Sequence, residues 1–203
     1  MKSYRSPKDT ARAFSLVELL VVMAILIVLY TMTYSARSAH FQRVQEQVCQ
    51  ANLEKIYVAM QLYVNDFNGL TPAATNATSS EGALTSLVPR YAADTSIFIC
   101  PGGHDDKLPP GADLNSHRIS YAYYMEQQLS SATEGLLSDR QVNTNRKSLN
   151  DELFSSTGKP PGNNHQKYGG NVLFADGHAD ISPPEAAFAL DYPTNVTLLN
   201  PKP

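Results

Sequence analysis

The segment from Phe14 to Tyr30 is almost entirely apolar, and Glu18 is its single charged residue. A carboxylate in hydrocarbon without a partner costs several kcal/mol or more. An ionisable group at such a position therefore indicates a function. The sequence predicts a cationic partner for Glu18. The most direct source is the α-amine that a cut just before Phe14 would create.

Residues 1–13 form a basic leader. They carry four basic residues and one acidic residue, which gives a net charge of +3. Positive flanks stay on the cytoplasmic side of a membrane, so we expect the amino end to be cytoplasmic. A secretory signal peptide is an alternative, because Ala36-Arg37-Ser38 offers a small-x-small cleavage site after the apolar region. That alternative leaves Glu18 unexplained.

The basic leader, the string Phe-Ser-Leu-Val-Glu at residues 14–18 and the apolar run together resemble the cleavage and methylation segment of type IV prepilins and type II secretion pseudopilins. The resemblance implies cleavage between Ala13 and Phe14 by prepilin peptidase, followed by N-methylation of Phe14. It also implies that Glu18 neutralises the amine of a neighbouring subunit during assembly. Ala13 stands where the family usually has glycine, and it is small enough for the same pocket. An ordinary membrane anchor with an interfacial Glu18 is the alternative.

The apolar segment is long enough to cross a bilayer. Residues 14–34 would form a helix of about 30 Å, which matches the hydrocarbon core. We therefore expect a transmembrane and assembly helix at 14–34. The orientation places the rest of the chain in the periplasm, with a single pass through the inner membrane.

Removal of the leader makes the chain acidic. The 16 basic and 19 acidic residues become 12 and 18, a net charge of −6. Nucleic-acid binding needs clustered Lys and Arg, so this balance argues against a nucleic-acid partner.

The chain contains two cysteines, Cys49 and Cys100. A disulfide persists outside the cytoplasm, where the predicted orientation places both residues. We expect a Cys49–Cys100 bond, and two small buried thiols are the alternative.

The helical signal continues past the apolar segment. Neither Pro nor Gly occurs from Phe14 to Asn68, and Gly69 suits a left-handed C-cap. One apolar stripe runs along the second half of this stretch with spacings of three and four, as in an amphipathic helix. The stripe is Cys49, Leu53, Ile56, Met60, Tyr63 and Phe67. We predict one helix of about 50 residues, whose second half, 35–68, packs against its own domain.

The remaining residues, 69–203, predict a loop-rich globular domain with an antiparallel sheet. The predicted strands are Ile97–Cys100, Ile119–Tyr124, Gly135–Asp139 and a hairpin over Asn171–Ile181. Asp176-Gly177 predicts a two-residue type I′ turn, with Val172 and Phe174 on one face and Leu173 on the other. The tail from Pro183 predicts irregular chain. The fold class is α+β and pilin-like, with a long amino-terminal helix packed on a small sheet.

The carboxy-terminal stretch resembles the processing-associated segment of a large prepilin-like subgroup, a His, a nine-residue gap and Asp-Gly. Here ten residues separate His165 from Asp176-Gly177. Further short strings resemble the same subgroup, and they lie at Cys49–Gly69, Phe98–Gly103, Ser120–Tyr124 and Leu136–Arg140. The resemblance implies a structural role for His165, Asp176 and Gly177.

A metal site is the alternative reading of that stretch. His165, Asp176, His178 and Asp180 carry the imidazole and carboxylate groups that suit zinc or manganese. Their spacing matches no strong metal signature, and Asp-Gly is already explained by a turn. We expect no metal and no cofactor.

These observations predict a structural subunit and not an enzyme. Its expected partners are copies of itself in a helical filament, prepilin peptidase, other pseudopilins and the inner-membrane assembly platform. Both a type II secretion pseudopilus and a type IV pilus-like filament fit the residues. The alternative is a membrane-anchored periplasmic binding or sensor module that never polymerises.

Overall fold

The computed structural model describes residues 14–190 and 192–203, and the side chains of residues 33–39 are outside that description. The chain divides into two compact units, residues 1–41 and 42–203. The predicted leader, 1–13, lies outside the described residues.

The long helix α1 spans Leu16–Asp66, which confirms the prediction of a single amino-terminal helix. It ends where Asn68 and Gly69 take positive φ angles of 53° and 90°. The Gly69 N–H donates to the carbonyl of Val64 at 2.9 Å and so satisfies a carbonyl of the last turn. Side chains of the predicted stripe form part of the main core of the second unit; the fully buried ones are Cys49, Leu53, Ile56 and Met60.

A five-stranded antiparallel sheet follows, which confirms the α+β class. Its strands are β1 (Tyr121–Met125), β2 (Gly135–Asp139), β3 (Gly170–Phe174), β4 (Ala179–Ser182) and β5 (Thr197–Leu199). Their order across the sheet is β4-β3-β2-β1-β5. A short helix α2 (Ser80–Leu84) precedes the sheet and is extended by a 3₁₀ turn, Thr85–Leu87.

Both faces of the sheet are covered. Alternate residues of β1, Tyr121 and Tyr123, join the core that contains the stripe of α1. Val172 and Phe174 of β3 point to the opposite face, whereas Leu173 joins the α1 side, as predicted. The chain after β2 covers that opposite face, which explains why the middle strands are buried on both sides.

Three local predictions were wrong. Residues Thr95–Phe98 form a 3₁₀ helix and not a strand, because Asp94 caps the turn by accepting from the Ser96 N–H at 3.0 Å. The tail is not wholly irregular, because β5 pairs with β1. The β3–β4 turn has a positive φ only at Gly177, whereas a type I′ turn needs two such residues. It is a three-residue loop in which Gly177 donates to the Phe174 carbonyl.

Candidate functional site

The amino-terminal segment holds the first group of predicted site residues. Ala13 lies outside the described residues, so only the Phe14 side of the predicted cleavage position is described. Phe14 precedes α1 and is 78% exposed. The bond that the resemblance identifies therefore adjoins an accessible side chain at the start of the helix.

Glu18 caps its own helix. The backbone N–H of Ser15 donates to Oε2 of Glu18 at 3.0 Å. Ser15 immediately precedes α1 and Glu18 is the third helical residue, which is the reciprocal half of a capping box. A carboxylate in the first turn also interacts favourably with the helix dipole. Glu18 thus has a local partner in the single chain, and its charge remains available to a cation.

Large apolar side chains from Leu16 to Met32 are exposed in the single chain. Together with Phe14 they are Leu16, Val17, Leu19, Leu20, Val21, Val22, Met23, Ile25, Leu26, Ile27, Val28, Leu29, Tyr30 and Met32. An exposed apolar surface of this extent indicates contact with another protein or a membrane. Within residues 14–190 and 192–203, none of the helices combines the length and apolarity that a membrane crossing requires.

The residues of the carboxy-terminal motif lie in two different places. His165 is fully buried. Asp176 and Gly177 form the β3–β4 turn, where the partly exposed His178 bonds to the Asp176 carboxylate. His178 also stacks on Phe174, with ring centroids 4.3 Å apart. The four-residue metal group considered from the sequence is therefore not assembled. Glycine is required at position 177 for two structural reasons: its φ of 97° is positive, and a Cβ there would contact the ring of Tyr57 of α1.

His165 pairs with a residue that the sequence analysis did not single out. Its Nε2 lies 3.2 Å from Oδ2 of Asp139, the last residue of β2, and both side chains are fully buried. Asp139 accepts further hydrogen bonds from Asn164 Nδ2 at 2.8 Å and from the Asn171 N–H at 2.8 Å. Every oxygen of this carboxylate therefore has a donor, which is what a buried charge requires.

The pair shifts both pKa values. Burial by itself would lower the pKa of His165, but the charge and hydrogen bond of Asp139, together with the charge of Glu46, outweigh burial and raise it above the ordinary value. Burial would raise the pKa of Asp139, but His165, Asn164 and Asn171 outweigh burial and lower it. Both shifts favour the charged imidazolium–carboxylate pair.

The disulfide lies beside this pair. Cys49 of α1 is bonded to Cys100, with Cα atoms 5.4 Å apart. Nε2 of His165 lies 3.4 Å from Sγ of Cys100. Asn171 connects the same helix by donating from Nδ2 to the Glu46 carbonyl at 3.2 Å. We call Cys49, Cys100, Asp139 and His165 the buried cluster; it joins α1, β2 and two loops.

A second buried carboxylate holds the carboxy-terminal chain. Glu81 of α2 accepts from the backbone N–H of Ile119 at 3.1 Å and of Lys202 at 3.0 Å. Nearby, Arg140 donates to the Ile119 carbonyl at 2.9 Å and pairs with Asp105. One local resemblance, the Leu136–Arg140 string, pointed to this region, but no sequence pattern indicated which groups Asp139 and Arg140 would contact.

Comparison with known proteins adds one match. Residues 8–34 match the family described as the prokaryotic N-terminal methylation motif. No curated protein and no solved structure gives a comparable match. The match covers Lys8 and Arg12 of the predicted leader, Phe14, the Ser15–Glu18 cap and the exposed apolar surface. This chain therefore carries, in residues 8–34, the N-terminal methylation motif that is the signature of prepilins and pseudopilins.

Proposed function

We propose that this chain is the precursor of a structural subunit that polymerises into a pseudopilus or a type IV pilus-like filament. Cleavage between Ala13 and Phe14 releases the leader, and Phe14 is then N-methylated. The observation that carries the proposal is the methylation motif at residues 8–34, which implies processing by prepilin peptidase.

The exposed apolar side chains of residues 14–32 support polymerisation. Full burial of one Leu, Ile or Val side chain stabilises an assembly by about 1.5–3 kcal/mol. The single chain leaves eleven such side chains exposed between Leu16 and Leu29. Neighbouring copies of the same helix would cover them in a filament, and lipid would cover them before assembly.

Glu18 fixes the register of that assembly. An ionised carboxylate accepts at both oxygens, so the cap through Oε2 is compatible with a cationic partner at Oε1. The methylated amine of Phe14 in a neighbouring copy is such a cation. An unpaired charge among packed apolar helices is strongly destabilising, so the stable registers are those that bring the Glu18 carboxylate to the amine of Phe14 in the neighbouring copy.

The remaining parts of the proposal concern topology and partners. The motif implies a membrane-anchored amino terminus. We infer that the leader is cytoplasmic and that residues 42–203 lie in the periplasm, where the Cys49–Cys100 bond persists. Other pseudopilins and an inner-membrane assembly platform are then the partners.

Mass spectrometry of the membrane fraction tests the proposal. We expect a mature amino terminus at N-methylated Phe14. Replacement of Ala13 by Gly is the matched control and should be processed at least as completely, whereas replacement by Leu should leave the leader attached. An intact Met1, or an amino terminus beyond Ser38, would contradict the proposal and favour an anchored module or a secreted domain.

A further inference from the structure

We propose that the buried cluster binds a zinc ion when its two cysteines are reduced, so that the disulfide and the metal are alternative occupants of one site. The cluster offers two thiolate sulfurs, one imidazole nitrogen and one carboxylate oxygen. Zinc takes four such ligands in a tetrahedral arrangement. Among the described residues, this is the only group of three or more potential ligands placed closely enough to hold a metal.

The distances fit that arrangement. Tetrahedral zinc with ordinary bond lengths separates its ligand atoms by about 3.3–3.8 Å. Nε2 of His165 lies 3.2 Å from Oδ2 of Asp139 and 3.4 Å from Sγ of Cys100, and all four ligand atoms lie within 4.8 Å of one another. The two sulfurs, which are bonded in the disulfide, must separate before a metal can bind between them.

The surroundings of the cluster are already organised. Asn164 and Asn171 donate to the carboxylate of Asp139 and fix its orientation. Such partners of a metal ligand strengthen metal binding. The four side chains come from α1, the Cys100 loop, the end of β2 and the loop before β3. A metal would therefore connect α1 to the Cys100 loop, as the disulfide does, and would also connect both to the end of β2 and the loop before β3.

The change from the disulfide to bound zinc is balanced in electrons and protons. A dithiol reductant transfers two electrons and two protons to the disulfide, which gives two thiols and the oxidised reductant. Binding of Zn²⁺ then releases both thiol protons and displaces the proton on Nε2 of His165. Because all four side chains are buried, the metal must enter while the chain is folding or locally open.

Cobalt(II) is the probe, since it reports on its ligands by absorbance. The full chain, purified in mild detergent, is unfolded and refolded with Co²⁺ under a phosphine reductant, which carries no thiol, and, separately, under oxidising conditions. We expect one Co²⁺ per reduced chain, with thiolate-to-metal charge transfer and tetrahedral d–d bands, displaced by Zn²⁺. The chain has no other cysteines and the reductant has no thiol, so thiolate charge transfer can arise only from Cys49 and Cys100. The oxidised chain should bind none at this site.

Matched variants distinguish metal binding at the buried cluster from metal binding at surface residues. Cys49→Ser and Asp139→Asn should lose the spectrum, whereas His178→Ala, which removes the exposed imidazole at the β3–β4 turn, should keep it. A reduced chain that is folded by circular dichroism yet shows no charge transfer would overturn the proposal. So would a reduced chain that remains unfolded when the metal is present during refolding. Neither outcome depends on the processing at Phe14.

Discussion

His165 and Asp139 form a fully buried ion pair, with Nε2 and Oδ2 3.2 Å apart, beside the disulfide that joins α1 to the loop at Cys100. Removing one partner of a buried pair leaves an uncompensated charge and typically costs about 3–5 kcal/mol. This relationship explains why the His of the carboxy-terminal motif is fixed in the fold without touching the Asp-Gly that follows it.

The first prediction concerns the pH dependence of stability. The folded pKa of His165 is above its ordinary 6.5, so its contribution is complete below that value and is lost as the pH rises through the folded pKa. The folded pKa of Asp139 is below its ordinary 3.8, so its contribution is complete above that value and is lost as the pH falls through the folded pKa. We expect the free energy of unfolding, from denaturant titrations, to decline on both sides of this window.

His165→Gln is the matched variant for that series. It should be less stable than the wild type inside the window and should lack the decline on the alkaline side. Glu46 also faces the pair, and burial raises its pKa above the ordinary 4.5, so ionisation of Glu46 lowers stability as the pH rises, in the same direction as deprotonation of His165. Glu46→Gln is the control that removes this second decline. An alkaline decline of equal size in His165→Gln would rule out the charged pair as its source.

The second prediction separates the charge of Glu18 from its cap. Glutamine at the third helical position still accepts from the Ser15 N–H, whereas alanine does not. If Glu18 pairs with an amine as we propose, both Glu18→Gln and Glu18→Ala should reduce filament yield at least about tenfold, which corresponds to 1.4 kcal/mol in the assembly equilibrium. Filament yield is measured by sedimentation and electron microscopy.

Processing is the internal control in that experiment. Both variants should still be cut before Phe14, because the proposed charge acts after cleavage. Normal filaments from Glu18→Gln together with defective filaments from Glu18→Ala would assign the role to the cap. Normal filaments from both would remove Glu18 from assembly.

The parts of the fold that were predicted correctly depend on local patterns. The absence of Pro and Gly up to Gly69 and the apolar stripe predicted α1, and the alternation around Leu173 assigned the two faces of β3. Gly135–Asp139 was predicted with the bounds of β2. In each case the backbone preference and the burial pattern favour the same structure.

The parts that were missed depend on contacts between distant residues. Ile97 and Phe98 have the composition of a strand, but the cap at Asp94 and burial of both side chains favour a 3₁₀ turn. The pairing of His165 with Asp139 required knowing that the loop before β3 folds back across the end of β2. Residue spacing contains no information on such a contact, so the spacing placed the candidate metal group beside Asp176 and not beside Cys100.

The third prediction concerns the disulfide. The bond closes a loop with a sequence separation of 51 residues, for which the loss of chain entropy in the unfolded state stabilises the fold by about 4 kcal/mol. Reductant should therefore lower the melting temperature of the chain. The measurement needs a metal chelator, because bound zinc would replace part of the lost stability. The Cys49→Ser/Cys100→Ser variant is the control and should show no response to reductant.

The fourth prediction compares two glycines with similar backbone angles. Gly69 has a φ of 90° and a Cβ there would have no neighbour within 4 Å, so Gly69→Ala should cost only the conformational strain, about 1 kcal/mol. Gly177 has a φ of 97°, and its Cβ would lie 2.5 Å from Cε1 of Tyr57, so Gly177→Ala should cost about 2–3 kcal/mol. Denaturant unfolding measures both.

Tyr57→Ala should remove much of the difference when combined with Gly177→Ala, since it removes the ring that the new methyl group meets. Equal costs for the two glycine variants would mean that the β3–β4 turn is not held against α1 by this contact.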